Sequence, residues 1–186
     1  MIKDTPHRLS HTTVALHWFI AIGVLGMLAV GLYMAENDAH ALYPLHKSSG
    51  MLLLLVILPR VAWRVINGWP TPVGTYRTWE HTLARTVHWV LIVGTVLMPL
   101  SGMLMSAAGG HGLAIFGWDL LAANPDPAHP GKVIALSKAA AEFGHETHEI
   151  LGSVLIGAII LHVAAALKHH LLDRDGTLRR MLGKAL

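Results

Sequence analysis

Cysteine is absent from this sequence of 186 residues. Its absence excludes structural disulfides, metal sites built from thiolates and covalent attachment of haem through a C-x-x-C-H motif. Charge is also scarce, because only 13% of the residues are Asp, Glu, Lys or Arg, whereas 53% are hydrophobic. A mean hydropathy of +0.51 excludes a soluble domain of ordinary composition, so the chain is predicted to be an integral membrane protein.

Four apolar segments are each long enough to cross about 30 Å of hydrocarbon as a helix. They comprise about residues 14–35, 46–66, 83–107 and 148–171. They predict an all-α fold, a bundle of four transmembrane helices that forms a single domain over residues 1–186. The first segment lacks a small-x-small cleavage site and carries His17, so we expect a membrane span there and no cleaved signal peptide.

The basic residues predict an orientation. Of the 14 Lys and Arg residues, all but Lys47, Lys132 and Lys138 lie in or beside the two tails and the link between the second and third segments. The positive-inside rule therefore predicts that both termini are cytoplasmic and that the long link of residues 108–147 is on the outer side. This topology accounts for the isoelectric point near 9.5, so nucleic acid is not an expected partner.

Histidine is abundant, with 14 residues, and five histidines lie at or inside the apolar segments: His17, His46, His88, His148 and His162. An imidazole in hydrocarbon is costly unless it has a partner. The predicted topology places His17 and His162 at the cytoplasmic level and His46 and His148 at the outer level. Two pairs follow, and they share the fourth segment, where residues 148 and 162 are separated by about 21 Å and lie within roughly 40° of one helix face.

Each paired histidine is followed four positions later by Gly or Ala, at Ala21, Gly50, Gly152 and Ala166. The residue at that spacing lies beside the histidine on the same helix face, so a small side chain leaves space for a flat macrocycle. His88 is followed by the bulky Ile92. The pattern indicates two bis-histidine haem sites, with a non-haem metal or structural polar packing as alternatives. Two protein ligands leave the iron no open position for oxygen, which favours electron transfer.

Three further residues are candidates for binding a cofactor at the cytoplasmic level. Arg60 and Arg64 are four residues apart, and they are candidates for holding haem propionates or for acting only as positive-inside anchors. His88 shares a face of the third segment with His81 and Arg85. It is a candidate for orienting a quinone or a propionate, with a hydrogen-bonded structural role as the alternative.

Five motifs carry a family resemblance: A-L-H-W (15–18), L-H-K-S-S-G (45–50), R-V-A-W-R (60–64), H-W-V-L-I-V-G-T-V-L-M-P-L-S-G (88–102) and H-E-I-L-G-S-V-L-I-G-A-I-I-L-H-V-A-A-A-L-K-H-H (148–170). Over nearly the whole chain, the sequence resembles the bacterial cytochrome b561 family, in particular its small four-helix di-haem members, one of which is a superoxide:ubiquinone oxidoreductase. The resemblance implies two haem b groups in the bacterial inner membrane. It also implies His17, His46, His148 and His162 as axial ligands, and electron exchange with ubiquinone.

Three classes of function are compatible with these observations. The first is a di-haem oxidoreductase coupled to the quinone pool, which oxidises superoxide at the periplasmic side or accepts electrons from a protein donor. The second is a cytochrome b anchor or relay subunit of another dehydrogenase or hydrogenase, with the long link as its docking region. The third is a non-redox transporter or structural bundle. Lys47 beside His46 favours an anionic donor, but the outer segments carry seven acidic residues and only three basic ones.

Overall fold

The structure of the protein is a computed structural model that describes residues 3–186. Within these residues the elements follow in the order α1 (His11–Asn37), a short 3₁₀ helix (His40–Leu42), α2 (Tyr43–Asn67), α3 (Thr78–Ala108), β1 (Leu113–Ile115), β2 (Trp118–Leu121), α4 (Lys138–Leu171) and α5 (Thr177–Met181). The prediction of four helices long and apolar enough to span a membrane is confirmed for α1, α2, α3 and α4.

The helix boundaries differ from the predicted segments mainly at the start of α4. This helix begins at Lys138, ten residues before the predicted span, because Ser137 caps it by accepting a hydrogen bond from the Ala140 N–H at 3.3 Å. The helix continues through Gly144. Glycine suits this position because a Cβ there would lie 2.7 Å from the backbone nitrogen of Met105 on α3. The end of the long link and the fourth span are therefore one helix of 34 residues.

The fold is mostly helical, as predicted, but the long link also forms a small antiparallel hairpin that the all-α prediction did not include. Strand β1 pairs with β2, and Ile115 lies opposite Trp118. The two residues between the strands, Phe116 and Gly117, both have positive φ angles, 47° and 90°. Two positive φ angles are what a type I′ hairpin turn requires.

The helices pack in two close pairs. A Cβ added at Gly94 of α3 would lie 2.8 Å from Leu155 of α4, and one added at Gly23 of α1 would lie 2.8 Å from Leu53 of α2. The central core is formed by Ile20, Val24 and Ile57. Within residues 3–186, α4 has no comparably extended contact with α1 or α2. Ile159 of α4 packs against this core, so α4 approaches α1 and α2 over a short stretch.

The bundle has two ends, which we name by their contents. At the hairpin end, α1 and α3 finish, α2 and α4 begin, and the hairpin lies beside them. At the tail end, the buried Arg180 guanidinium donates to the carbonyl oxygens of Pro6 at 3.1 Å and Thr71 at 3.0 Å. The indole N–H of Trp18 donates to the carbonyl oxygen of Met181 at 2.7 Å. These bonds connect both chain tails and the link between α2 and α3 in one cap.

Candidate functional site

The structure brings the four principal histidines together in the two predicted pairs. At the tail end the ring centroids of His17 and His162 lie 6.1 Å apart, and at the hairpin end those of His46 and His148 lie 6.3 Å apart. All four rings are half-buried. In both pairs one histidine belongs to α4. The other belongs to α1 at the tail end and to α2 at the hairpin end, and neither of these helices packs as closely against α4 as α3 does.

The spacing within each pair fits a shared metal ion. Two imidazoles on opposite sides of one ion, each bound through nitrogen at about 2 Å, have ring centroids about 6 Å apart. Both measured separations agree with this value. Beside the rings, a Cβ at Gly50 or Gly152 would meet only a methionine methyl group, Met27 at 3.4 Å and Met98 at 3.5 Å. The donor set and these open flanks fit haem b held by two histidines.

At the hairpin end, α3 orients one imidazole of the pair. Nδ1 of His148 lies 2.9 Å from the carbonyl oxygen of Met98 and 3.1 Å from the hydroxyl of Ser101. Because a carbonyl oxygen can only accept, Nδ1 carries the proton and Nε2 is left with a free lone pair. The Ser101 hydroxyl itself donates to the Met98 carbonyl at 2.8 Å. Helix α3 thus fixes the tautomer of His148 that suits coordination through Nε2, although α3 itself supplies no histidine to the pair.

The other imidazole at the hairpin end has different surroundings. Nδ1 of His46 is buried and has no hydrogen-bond partner among the described residues. A Cβ at Gly31 of α1 would lie 3.4 Å from His46, and a Cβ at Gly102 of α3 would lie 3.1 Å from His148. Glycines on the two neighbouring helices therefore allow both rings to be held close to backbone.

Sequence reasoning missed Met98, Ser101, Gly102 and Gly31 as residues that contact the histidines. Three of them belong to the M-P-L-S-G motif (98–102) in α3, which was used only as a mark of resemblance. The motif contains Pro99, whose ring removes a helical hydrogen bond and loosens the helix locally. The sequence signal for this contact was a proline followed closely by serine and glycine in a membrane helix, which indicates that the helix packs against a polar side chain.

The tail end contains a third histidine and a free cation. The ring centroid of His88 lies 5.3 Å from that of His162, closer than His17, and 5.8 Å from that of Trp69. Arg60 is near enough to act electrostatically on His17, His88 and His162, and Arg64 acts more weakly on His17 and His88. Within residues 3–186 the Arg60 guanidinium has no hydrogen bond or ion pair to another side chain. An anionic or carbonyl-bearing group bound at this end would find a donor there.

Arg64, the other predicted propionate ligand, is occupied differently. Its guanidinium donates to the carbonyl oxygen of Gly68 at 2.6 Å, just beyond the end of α2, and lies 3.5 Å from the Asp4 carboxylate. Burial alone would raise the pKa of Asp4, but hydrogen bonds from Ser10 and Thr13 and the charge of Arg64 hold it below its ordinary value. The two arginines thus differ in their bonds, because Arg64 bonds the scaffold and Arg60 has no side-chain hydrogen bond or ion pair within residues 3–186.

A separate cluster near the tail end consists of His169, Asp173 and Asp175, whose possible ligand atoms all lie within 4.8 Å of one another. Protein groups already contact the two carboxylates, since Lys168 lies 2.8 Å from Asp173 and the Tyr76 hydroxyl donates to Asp175. Burial opposes ionisation of Asp175, but the hydrogen bonds from Tyr76 and Thr177 hold its pKa below the ordinary value. The bond between Tyr76 and Asp175 joins the segment after α4 to the link before α3.

Comparison with known proteins identifies relatives over nearly the whole chain. Residues 8–184 match the sequence family described as prokaryotic cytochrome b561. Cytochrome b561 homolog 2 of Escherichia coli strain K12 is 36% identical over 98% of this chain and 95% of its own length. Cytochrome b561 homolog 1 of the same strain is 29% identical over 95% of this chain and 97% of its own. A probable superoxide oxidase, CybB of Yersinia pestis, is 22% identical over 95% of this chain and 97% of its own.

Proposed function

Because the chain belongs to the prokaryotic cytochrome b561 family, multi-pass inner-membrane proteins that carry electrons with haem b, we propose that it holds two haem b groups and catalyses the oxidation of superoxide by ubiquinone. The observation that carries the proposal is the presence of two histidine pairs, both with bis-imidazole spacing, at opposite ends of one membrane bundle. Bound haem b supplies reversible one-electron chemistry. The balanced reaction converts two superoxide anions, one ubiquinone and two protons to two O₂ and one ubiquinol.

The axial ligands in this proposal are His46 and His148 at the hairpin end and His17 and His162 at the tail end. The two sites share α4, on which residues 148 and 162 are separated by about 21 Å along the helix. The apolar core residues Ile20, Val24 and Ile57 lie in the middle of the bundle and exclude water there. The protein thereby holds two redox groups at fixed depths and insulates the region between them.

We place the hairpin end in the periplasm. The tail end holds most of the basic residues, which the positive-inside rule assigns to the cytoplasm. Lys47 adjoins His46 at the hairpin end, where it is half-buried and forms no ion pair within residues 3–186. A partly desolvated cation beside the first redox site favours an anionic donor such as superoxide. The relationship to a probable superoxide oxidase supports the same donor.

Ubiquinone is proposed to react near the tail end. There His88 lies between Trp69 and His162, while the Arg60 guanidinium is free to donate to a carbonyl oxygen or a propionate. A quinone dissolved in the membrane approaches this region along the lipid-facing surface of the helices. In this arrangement His88 and Arg60 are the groups that hydrogen-bond the bound molecule, and Arg64 stabilises the end of α2.

The second candidate function is a cytochrome b relay subunit that receives electrons from a partner dehydrogenase or hydrogenase. The observation in its favour is the long link with its hairpin at the hairpin end, where exposed apolar residues include Phe116 and Trp118. This alternative uses the same two haem sites, and it differs from the first only in the donor. An experiment on the donor therefore separates the two functions.

The test uses purified protein in liposomes that contain ubiquinone. Absorption spectra should show two b-type haems per chain, and superoxide generated outside the vesicles should reduce them at a rate that approaches the diffusion limit and falls with added salt. Ubiquinol should form in a ratio of one per two superoxide anions. Colourless protein would overturn both functions. Haem-loaded protein that superoxide reduces slowly and without salt dependence would overturn the first and favour the relay subunit.

A further inference from the structure

The hairpin carries three large apolar side chains that the remainder of the described chain leaves uncovered. Phe116, Trp118 and Leu120 are 62%, 81% and 60% exposed. Leu121, the last residue of β2, is also exposed, at 41%. The register shifts by one residue at Leu120, because Asp119 pairs with Ala114 and Leu121 pairs with Leu113. The hairpin thus presents a cluster of exposed apolar side chains, which is unfavourable in contact with water.

The position of the hairpin along the bundle is fixed by one buried hydroxyl. Ser48 of α2 is 2% exposed. It donates to the carbonyl oxygen of Ala114 at 3.2 Å and accepts from the N–H of Phe116 at 3.0 Å. Ser48 lies five residues after Tyr43, the start of α2. The turn of the hairpin is therefore held beside the wall of the bundle, about 7 Å below the beginning of that helix.

This depth coincides with a membrane boundary. The 25 residues of α2 span about 37 Å, against about 30 Å of hydrocarbon, so each end extends roughly 4 Å beyond the hydrocarbon. A residue about 7 Å from the end of the helix is then at the border between headgroups and acyl chains. Leu45 and Leu52 of α2, about one turn to either side of Ser48, are 49% and 41% exposed and form part of the lipid-facing surface.

We propose that the hairpin is a membrane-interface anchor, which inserts Phe116, Trp118 and Leu120 into the headgroup and acyl boundary of the leaflet at the hairpin end. Its turn is bonded to Ser48, between the exposed Leu45 and Leu52 of α2, and tryptophan is enriched at this depth. The geometry favours lipid as the group that covers these side chains. The turn lies at the depth of the membrane, so a protein partner approaching from water would contact the remainder of the link first. Since Ser48 lies two residues after His46, the anchor also holds the start of α2 that carries this histidine.

The test exploits the absence of cysteine, which makes any introduced cysteine a unique labelling position. Trp118→Cys and Leu120→Cys report the exposed apolar residues of the hairpin, and Ala128→Cys is an aqueous control in the same link. Each haem-loaded variant is spin-labelled in lipid nanodiscs. Its collision rates with oxygen, which concentrates in lipid, and with a water-soluble nickel chelate are then measured by power saturation.

We expect the oxygen-to-nickel ratio at positions 118 and 120 to exceed that at position 128 by several-fold. Adding Ser48→Ala should reduce the ratio at position 118 and increase the mobility of its label. Ratios at 118 and 120 equal to the aqueous control would overturn the proposal. Low collision rates with both reagents at these positions would also overturn it, because they would show that a protein covers the hairpin. Leu120→Cys retains Trp118, so similar ratios in the two variants would show that the result does not come from replacing the tryptophan.

Discussion

The two histidine pairs have nearly the same spacing but very different surroundings. At the hairpin end, His148 is oriented by the Met98 carbonyl and the Ser101 hydroxyl, and the neighbouring helix α2 is fixed by the hairpin. At the tail end, neither ring of the His17 and His162 pair has a hydrogen bond to protein among the described residues. The tail end has instead a third imidazole, His88, and an unpaired arginine.

If the bundle holds two haem b groups, as proposed, this difference suits the two sites to different tasks. Hydrogen bonding to the outer nitrogen of a ligating histidine fixes its orientation and increases its basicity, which stabilises the oxidised metal. A nearby cation has the opposite effect, because it stabilises the reduced, more negative state. If both sites bind haem b, the hydrogen bonds to His148 lower the potential of the hairpin-end site, and Arg60 raises that of the tail-end site. Lys47 beside His46 acts in the opposite sense to the His148 bonds, so the potentials of the two sites measure the balance between these groups.

The largest expected effect comes from removing one histidine of α4 at a time. His148→Ala should eliminate the hairpin-end haem alone and His162→Ala the tail-end haem alone, because each removes one axial ligand of one pair. Pyridine haemochrome assays should find about half of the native haem content in each variant. His145→Ala, which changes an exposed histidine one turn before His148, is the control and should retain both haems. Full haem content in both of the first two variants would refute the ligand assignment.

The next largest effect should come from a methyl group beside His148. Gly102→Ala introduces a Cβ about 3.1 Å from the ring, so either the ring or α3 must move. We expect a reduced affinity for the hairpin-end haem and an unchanged tail-end haem, measured as haem loss on heating. Gly157→Ala is the matched control, since a Cβ there has no neighbour within 4 Å. Equal behaviour of the two alanine variants would show that the space beside His148 is not critical.

The two arginines offer a direct comparison of charge at the tail end. Arg60→Gln should lower the potential of the tail-end haem by at least about 30 mV, or roughly 0.7 kcal/mol for one electron. The comparison is Arg64→Gln, which should shift this potential less than Arg60→Gln does and should reduce thermal stability, since Arg64 bonds the Gly68 carbonyl. Potentiometric titration of the native protein and both variants checks the prediction. A larger potential shift in Arg64→Gln would reverse the assignment.

A smaller shift of opposite sign is expected at the hairpin end. Ser101→Ala removes one of the two acceptors near Nδ1 of His148 but retains the Met98 carbonyl. The potential of the hairpin-end haem should rise by roughly 20 mV, corresponding to about 0.5 kcal/mol for one weak neutral hydrogen bond. Ser153→Ala, at an exposed serine of α4, is the control and should cause no shift. A fall in potential would contradict the proposed role of the hydrogen bond.

The smallest effect concerns acid stability of the tail end. The pKa of Asp4 is held below its ordinary value of 3.8 in the folded protein. Ionised Asp4 therefore contributes stability that is fully present above pH 3.8 and is lost as the pH falls through the lower, folded pKa. Asp4→Asn should remove about 1 kcal/mol near neutral pH, and its melting temperature should decline less steeply on acidification. Parallel melting curves of the two proteins below pH 3.8 would argue against this contribution.

Sequence alone predicted the spans and the histidine pairs because both depend on strong, one-dimensional rules. An apolar helix of sufficient length must cross the membrane, and alternating helix directions then determine the depth of every residue. The depth argument paired His17 with His162 and His46 with His148, and the structure places these rings beside each other. Their role as haem ligands stays a prediction, as does the cytoplasmic location of the termini.

What sequence could not predict depends on contacts between elements. Arg60 and Arg64 are equivalent in charge and spacing, and only the position of Gly68 and Asp4 distinguishes them. The distance of His88 from His162 depends on the close packing of α3 against α4, where Gly94 faces Leu155. The hairpin was missed because its strands have only three and four residues, too few for a clear alternation of apolar and polar side chains.

The bonds of Arg180 have a consequence for the biogenesis of the protein. Its two acceptors, the carbonyls of Pro6 and Thr71, leave the ribosome more than a hundred residues before it. During synthesis these carbonyls must therefore be hydrated, and the cap over the tail end can close only after α4 has entered the membrane. The tail end thus stays accessible until the last part of the chain is made. During this interval a cofactor can reach the tail end without displacing folded protein.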